Sequence, residues 1–384
     1  MNVLVISSWY PSEEKPFAGI FVQAWARCIS LTNDVVVMTW QRCEHSLQEA
    51  FSISRGVEKG MRTLRIRYRC SPVPGLSHLV LLRAMKAAVE ELGTAGWSPD
   101  IIHAHVYSSG FFSVLLGSWL GIPVVITEHF SGFARGIVTG IERWKALYAF
   151  NRSAFVLPVS ENQREALLSF GVRTPMVVVP NPVDVSFFSQ LKKAPHKSNL
   201  ENRKKKLLFV GLLTSIKGLD LLLSALSLVR GVRTDWHLDI VGDGPERENL
   251  QAQSRALGLE AFITFHGAKS QEDVARFMRN ADAFILPSRW ETLPCVVIEA
   301  LSSGVPVLAT RVGGLPELVN AGNGLLVEPE NVEALAKGIN ELLVSLNSYD
   351  RDSIAQSAYA RYSLEAVNRK LDKLYAEALK QRGI

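Results

Sequence analysis

The sequence predicts an α/β protein made of two doubly wound parallel sheets. Three observations carry this reading. Short β-branched runs alternate with amphipathic segments of helical period along nearly the whole chain, the signature of parallel strands joined by crossover helices. The alternation breaks once, in a basic stretch, and then starts again. The length, 384 residues, exceeds what one core ordinarily holds.

The elements follow in order. Asn2–Ser7 (NVLVIS) reads as a strand, Gly19–Leu31 as a helix and Asp34–Thr39 as a second strand. Thr63–Arg69 alternates apolar and basic residues with period two, and Leu79–Leu92 has helical spacing. Asp100–His105, Val124–Thr127, Phe155–Val159 and Met176–Val179 read as further strands with helices between them. Residues 186–206 hold seven Lys/Arg, one Glu and Pro195 without apolar period, which is a linker signature. Beyond it, Leu207–Val210, Trp236–Val241, Phe262–Phe265, Ala283–Leu286 and Val305–Ala309 read as strands. Gly218–Arg230, Pro245–Leu257, Ser270–Asn280, Pro294–Ser303, Asn331–Leu343 and Leu364–Leu379 read as helices. The expected domains are 1–185 and 207–363.

Composition excludes several classes. Apolar residues are 47% and charged residues 21%, too rich in apolar surface for a disordered chain. Cys28, Cys43, Cys70 and Cys295 lie far apart with no C-x-x-C, which reads as free thiols in a reducing compartment. The first fifteen residues lack the basic start and long apolar run of a secretion signal, so a cytoplasmic location is expected. Val106–Thr127 is uncharged over 22 residues, but Pro123 divides it, so it reads as a core helix and a strand rather than a membrane span. The net charge of +5 favours anionic partners. Aromatic–basic interleaving and nucleic-acid motifs are missing from the sequence, so a nucleic-acid partner is not expected.

In open parallel sheets, ligands sit beyond the carboxyl ends of strands. The most informative such stretch is Leu286–Val319 (LPSRWETLPCVVIEALSSGVPVLATRVGGLPELV). A strand ends at Leu286, a loop carries Glu291, and a helix starts near Pro294, where a proline in the first turn gives up only an orphan N–H. The N–H groups of Cys295, Val296 and Val297 at such a helix start suit a phosphate. Glu299 lies one and a half turns further in, where a carboxylate accepts paired hydrogen bonds of the kind a ribose diol supplies.

The spacing E-x7-E (Glu291, Glu299), then Gly304/Pro306 and Gly313-Gly314/Pro316-Glu317, resembles the retaining family 4 glycosyltransferases of the two-domain GT-B fold. Val179–Asp184 (VPNPVD), Val210–Gly218 (VGLLTSIKG), Val241–Pro245 (VGDGP), Phe265–Gly267 (FHG), Ser8–Phe21 and Thr127–Phe130 (TEHF) resemble further segments of that family, so the likeness covers nearly the whole chain. It implies two Rossmann-like domains facing across a cleft: an acceptor-binding one joined by the C-terminal helix 364–384, and a donor-binding one. It also implies retaining transfer of a hexosyl or N-acetylhexosaminyl group from a UDP- or GDP-linked sugar, without a metal or other cofactor, to a saccharide or lipid-linked acceptor. The processes expected are cell-surface polysaccharide, lipopolysaccharide or glycolipid synthesis.

Residue by residue, the resemblance makes Glu299 the ribose carboxylate and Glu291 the ligand of donor-sugar hydroxyls. Lys217 would neutralise the diphosphate, and His129 would face the donor sugar from the N-terminal domain. Gly19 would let its loop approach the phosphates. Leu293, Pro294, Cys295, Val296, Gly211, Gly242 and Asp243 would line the nucleotide. Where the family often has Arg after the glycine of the first donor-domain strand, this chain has Leu212; Arg289 is the candidate replacement by proximity in sequence. Pro294 removes one phosphate-facing N–H, which shifts contact to Cys295 and Val296. Backbone donors and Lys217 would stabilise the developing charge of the leaving nucleotide.

Blander readings stand beside these. His103 and His105 alternate on one strand without a third ligand and read as structural. Asp350 and Asp352 read as helix-start residues rather than a metal-binding pair. Cys295 reads as a backbone contact, although a helix start would lower a thiol pKa. An epimerase of the same fold and a non-catalytic carbohydrate-binding or scaffold protein are the alternatives, the latter permitted by Leu212. Between Arg55 and Lys86 there are eight basic residues and one acid, interleaved with Leu76, Leu79, Val80, Leu81 and Leu82. That face suits an anionic bilayer, so peripheral attachment at the inner face of the plasma membrane is a further expectation.

Overall fold

Two runs of strong alternation build two sheets, whose central strands are buried. The computed structural model describes residues 1–12, 14, 18–43, 49–71, 73, 75–188 and 203–381, which divide into two compact units. One comprises Met1–Pro182 with Leu364–Ile384, and the other Val183–Ser363. Residues 189–202, most of the basic stretch expected to link the domains, lie outside the described residues.

In the first unit the strands are β1 (Asn2–Ser7), β2 (Asp34–Cys43), β3 (Phe51–Glu58), β4 (Met61–Arg69), β5 (Ile101–His105), β6 (Val124–Glu128) and β7 (Phe155–Pro158). They lie in the order β3-β4-β2-β1-β5-β6-β7. All neighbours are parallel except the β3–β4 hairpin. Helices α1 (Ile20–Ile29), α2 (Leu76–Thr94), α3 (Tyr107–Leu120), α4 (Gly140–Phe150) and α5 (Glu161–Phe170) connect them. The uncharged stretch Val106–Thr127 is indeed α3 plus most of β6, and among the described residues no helix is long and apolar enough to cross a membrane.

Two expectations in this unit need correcting. β3 was not legible, because most of its residues are exposed and carry no buried face to impose a period. It is held by its turn at Lys59 and Gly60, both with positive φ, the geometry of a tight hairpin. Met176–Val179 is not a full strand. Met176 forms only an isolated bridge to Val156; the Val179 N–H still donates to Pro158 O, but Pro158 has no N–H to return a bond, so the ladder stops there.

The second unit opens with a short helix, α6 (Val185–Phe188), where a linker was expected to begin. Its strands are β8 (Lys205–Val210), β9 (Trp236–Val241), β10 (Ile263–Gly267), β11 (Ala283–Leu286), β12 (Val307–Thr310) and β13 (Gly324–Val327), in the order β10-β9-β8-β11-β12-β13. The helices are α7 (Leu219–Arg230), α8 (Arg247–Ala256), α9 (Gln271–Asn280), α10 (Cys295–Ser302), α11 (Leu315–Leu318), α12 (Val332–Ser345) and α13 (Arg351–Tyr362). Asp350 caps α13, accepting from the N–H groups of Asp352 and Ser353, as the helix-start reading required.

A last helix, α14 (Leu364–Lys380), belongs to the first unit. Its Tyr375 is fully buried, Asp372 accepts from Thr32, and the Leu364 carbonyl accepts from the Cys28 thiol. In both sheets the strand order reverses beside the first strand, between β1 and β5 and between β8 and β11. A crevice at the carboxyl ends of the strands is expected at each reversal.

Candidate active site

At the β8/β11 reversal the loops after the two strands meet. Lys217 follows β8 and Glu291 follows β11, 74 residues apart in sequence, yet Lys217 Nζ donates to Glu291 Oε1 at 2.6 Å. Ser288 Oγ donates to the same oxygen at 2.7 Å, and Glu291's side chain is only 8% exposed. Ser288 is itself held, because its carbonyl accepts from the Thr310 hydroxyl. The two residues expected to act on diphosphate and sugar are thus neighbours in one charge-assisted network.

The strand ends beside them are packed at backbone distance. The Gly211 N–H donates to Val241 O and the Gly242 N–H to Gly267 O. Gly242 has φ +143, and a Cβ there would lie 1.8 Å from Gly211 O, so neither the conformation nor the space admits a side chain. Asp243 accepts from the Gly244 N–H and from Arg247, which holds this loop closed on itself.

Glu291 leads through buried Leu293 and Pro294 into α10. Pro294 is the N-cap, with ψ 119, rather than a residue of the first turn; the extended backbone there correctly ends the loop, and the helix begins one residue later than expected. The N–H groups of Cys295 and Val296, in the first turn, have no acceptor within the helix. Cys295's thiol is pushed up to about 12 by burial and by the nearby Glu299 carboxylate. That corrects the expectation of a lowered value, since desolvation outweighs the helix start. Glu299 is half-buried, and no hydrogen-bond donor reaches its carboxylate among the described residues. Burial alone pushes it up to about 7.

Arg289 sits in the same loop, with its guanidinium in use. Four of its five N–H groups are engaged, by both oxygens of Asp220, by Ser215 O and by Glu330. Leu212, at the position where a cation was missed, is 60% exposed.

In the first unit, Gly19 is a left-handed turn before α1, and a Cβ on it would fall 2.2 Å from Trp9 O. His129 follows β6 and shares a hydrogen bond with His105, Nε2 to Nδ1, at 3.0 Å. His105 stacks on His103, whose two ring nitrogens meet Tyr375 and Thr127. Burial drives His129 and His103 down to about 3 and His105 well below its usual value, so all three are neutral near pH 7. Their neighbour Glu128 is fully buried and accepts from the N–H groups of Tyr107, His129 and Phe130; burial nevertheless pushes it up to about 7. This network was only partly legible: the H-A-H pattern signalled two buried histidines, but nothing local paired His105 with His129.

Residues 24–187 match the family described as Glycosyltransferase Family 4, and residues 192–361 match Glycosyl transferases group 1. A D-inositol 3-phosphate glycosyltransferase of Corynebacterium jeikeium is 28% identical over 98% of this chain and 97% of its own. A glycosyltransferase of Methanocaldococcus jannaschii is 26% identical over 82% of this chain and 85% of its own. Among solved structures, the Anabaena protein HepE in complex with UDP superposes with a TM-score of 0.76 at 19% identity, covering 98% of this chain and all of that one. The chain belongs to the family 4 (group 1) glycosyltransferases and has their GT-B fold of two Rossmann-like domains.

Proposed function

We propose that this glycosyltransferase binds a nucleotide-diphosphate sugar on its second unit and transfers a hexosyl or N-acetylhexosaminyl group with retention at the anomeric carbon. The observation that carries the reading is the Glu299 carboxylate, unpartnered among the described residues, beside the first-turn amides of Cys295 and Val296, which lack an acceptor within the helix. A half-buried acid without a donor is costly; a ribose diol supplies two donors, and the amides next to it suit the diphosphate. Glu291 grips donor-sugar hydroxyls, and Lys217 balances the diphosphate as the leaving group gains charge. Gly211, Gly242, Asp243 and Leu293 line the nucleotide. His129, on the first unit, is a neutral imidazole, able to hydrogen-bond a ligand but not to act as a cation. The donor carries uracil or guanine; the Anabaena structure bound to UDP supports a uridine donor.

The acceptor is a saccharide or a lipid-linked saccharide, in the synthesis of a surface polysaccharide, lipopolysaccharide or glycolipid. Leu76 and Leu79 are exposed on α2, with exposed Arg83 one turn on. This supports contact with an anionic bilayer, although Arg55, Arg62, Arg65 and Lys86 already have acidic partners. Co-sedimentation with anionic vesicles at low salt tests that contact, and no binding ends it. Thermal-shift titration with UDP- and GDP-sugars tests the donor, because a ligand stabilises the state it binds. The reading fails if neither series raises the melting temperature. NMR of the product distinguishes transfer with retention from an epimerised free donor. A sugar-binding protein without transfer activity is the second reading, favoured by exposed Leu212 in place of a cation, and release of nucleoside diphosphate on turnover excludes it.

A further inference from the structure

Lys217 lies on a three-residue 3-10 turn, Ser215–Lys217, between β8 and α7, and a segment that short holds no fixed position by itself. Its position is imposed from the loop after β11, and Arg289 is the residue that imposes it. The Arg289 N–H donates to Ile216 O at 2.8 Å. Its Nη1 donates to Ser215 O at 2.6 Å. The same guanidinium grips Asp220 with two bonds, of 2.8 and 2.7 Å. Nε reaches Glu330 at 3.3 Å. The bonded residues bracket Lys217 on both sides, at 215, 216 and 220. Between them, Gly218 passes so close to the β11 loop that a Cβ on it would lie 2.1 Å from Pro287 O.

We propose that Arg289 is a positioning residue: with Asp220 it clamps the β8 loop onto the β11 loop and so holds the Lys217 ammonium against Glu291, where the donor diphosphate and sugar meet. This rests on the donor-site reading above and departs from Arg289 as a direct phosphate ligand. A guanidinium placed for phosphate would present its paired N–H edge to the ligand, whereas here that edge is occupied by a carboxylate of the same chain.

The two roles predict opposite behaviour for the partner acid. Asp220→Asn and Arg289→Gln would be compared by calorimetric titration with UDP and GDP, and with UMP and GMP. If Arg289 is a clamp, both substitutions loosen the same turn and both weaken the diphosphates by about ten- to a hundred-fold, the scale of loss from a misplaced group. The monophosphates, which reach Lys217 least, change little. The double variant is then no worse than the worse single one, because both changes break one contact. In turnover, kcat falls together with diphosphate affinity. Hydrogen exchange without ligand would show the amides of 214–218 opening in both variants. If Arg289 touches phosphate itself, Asp220→Asn frees the guanidinium and leaves UDP and GDP binding unchanged or tighter, which overturns the clamp. Unchanged exchange at 214–218 in Arg289→Gln overturns it as well. A wild-type protein that binds none of the nucleotides while exchange still responds to Arg289 removes the donor-site reading, and the functional role of the clamp with it.

Discussion

A single carboxyl group shows how this site holds a cost in reserve. Among the described residues no donor reaches Glu299, and it sits at about 7 instead of its ordinary 4.5. A folded-state value above the unfolded one means that its contribution to stability is present below about 4.5 and is lost as pH rises through about 7. Glu299→Gln therefore raises the melting temperature of the ligand-free protein at pH 8, by a gain on the order of 2 kcal/mol, less than the full shift because the group is partly exposed. The same substitution weakens nucleotide binding, about ten-fold or more for a lost charge-assisted hydrogen bond. If Glu299 takes the proposed ribose role, binding calls for the anion, so affinity falls as pH drops below about 7 and the complex forms with proton release; the glutamine variant loses this dependence. Calorimetry in two buffers of different ionisation enthalpy checks both statements. Cys295 supplies a contrasting case. With its thiol near 12, it stays unalkylated by iodoacetamide at pH 8 in the folded protein, and mass spectrometry of the labelled chain reads this directly.

Elements matter through the strand ends. Gly211 and Gly242 directly follow β8 and β9, and the backbones there approach more closely than any side chain allows. Gly242→Ala is expected to cost about 2 kcal/mol or more, because it combines a forbidden φ with a backbone clash, and chemical denaturation followed by tryptophan fluorescence measures it. On the proposed nucleotide role of this loop, nucleotide affinity falls with it. α10 was readable from its sequence because Val297, Ile298, Ala300 and Leu301 form a buried face interrupted only by Glu299. The elements that escaped reading lack that signal. β3 is an exposed edge with no apolar period. α11 and β13 are four residues each, too short for any period to repeat.

For the whole molecule, the last helix decides how much chain one unit needs. α14 joins the first unit from the far end of the sequence and buries Val367, Leu371 and Tyr375. Removing residues 364–384 should strip protection from the amides of α1 and β5 and leave those of β8–β13 unchanged, which hydrogen exchange resolves segment by segment. The sequence by itself determined the number of sheets and their largely parallel character, because burial periods are written over short stretches. Only the tertiary structure decided that Lys217 meets Glu291, that Arg289 is taken up by Asp220, and that His105 pairs with His129. Those contacts depend on which strands lie side by side, and strand order follows from the packing of the entire sheet, which no local window of residues encodes.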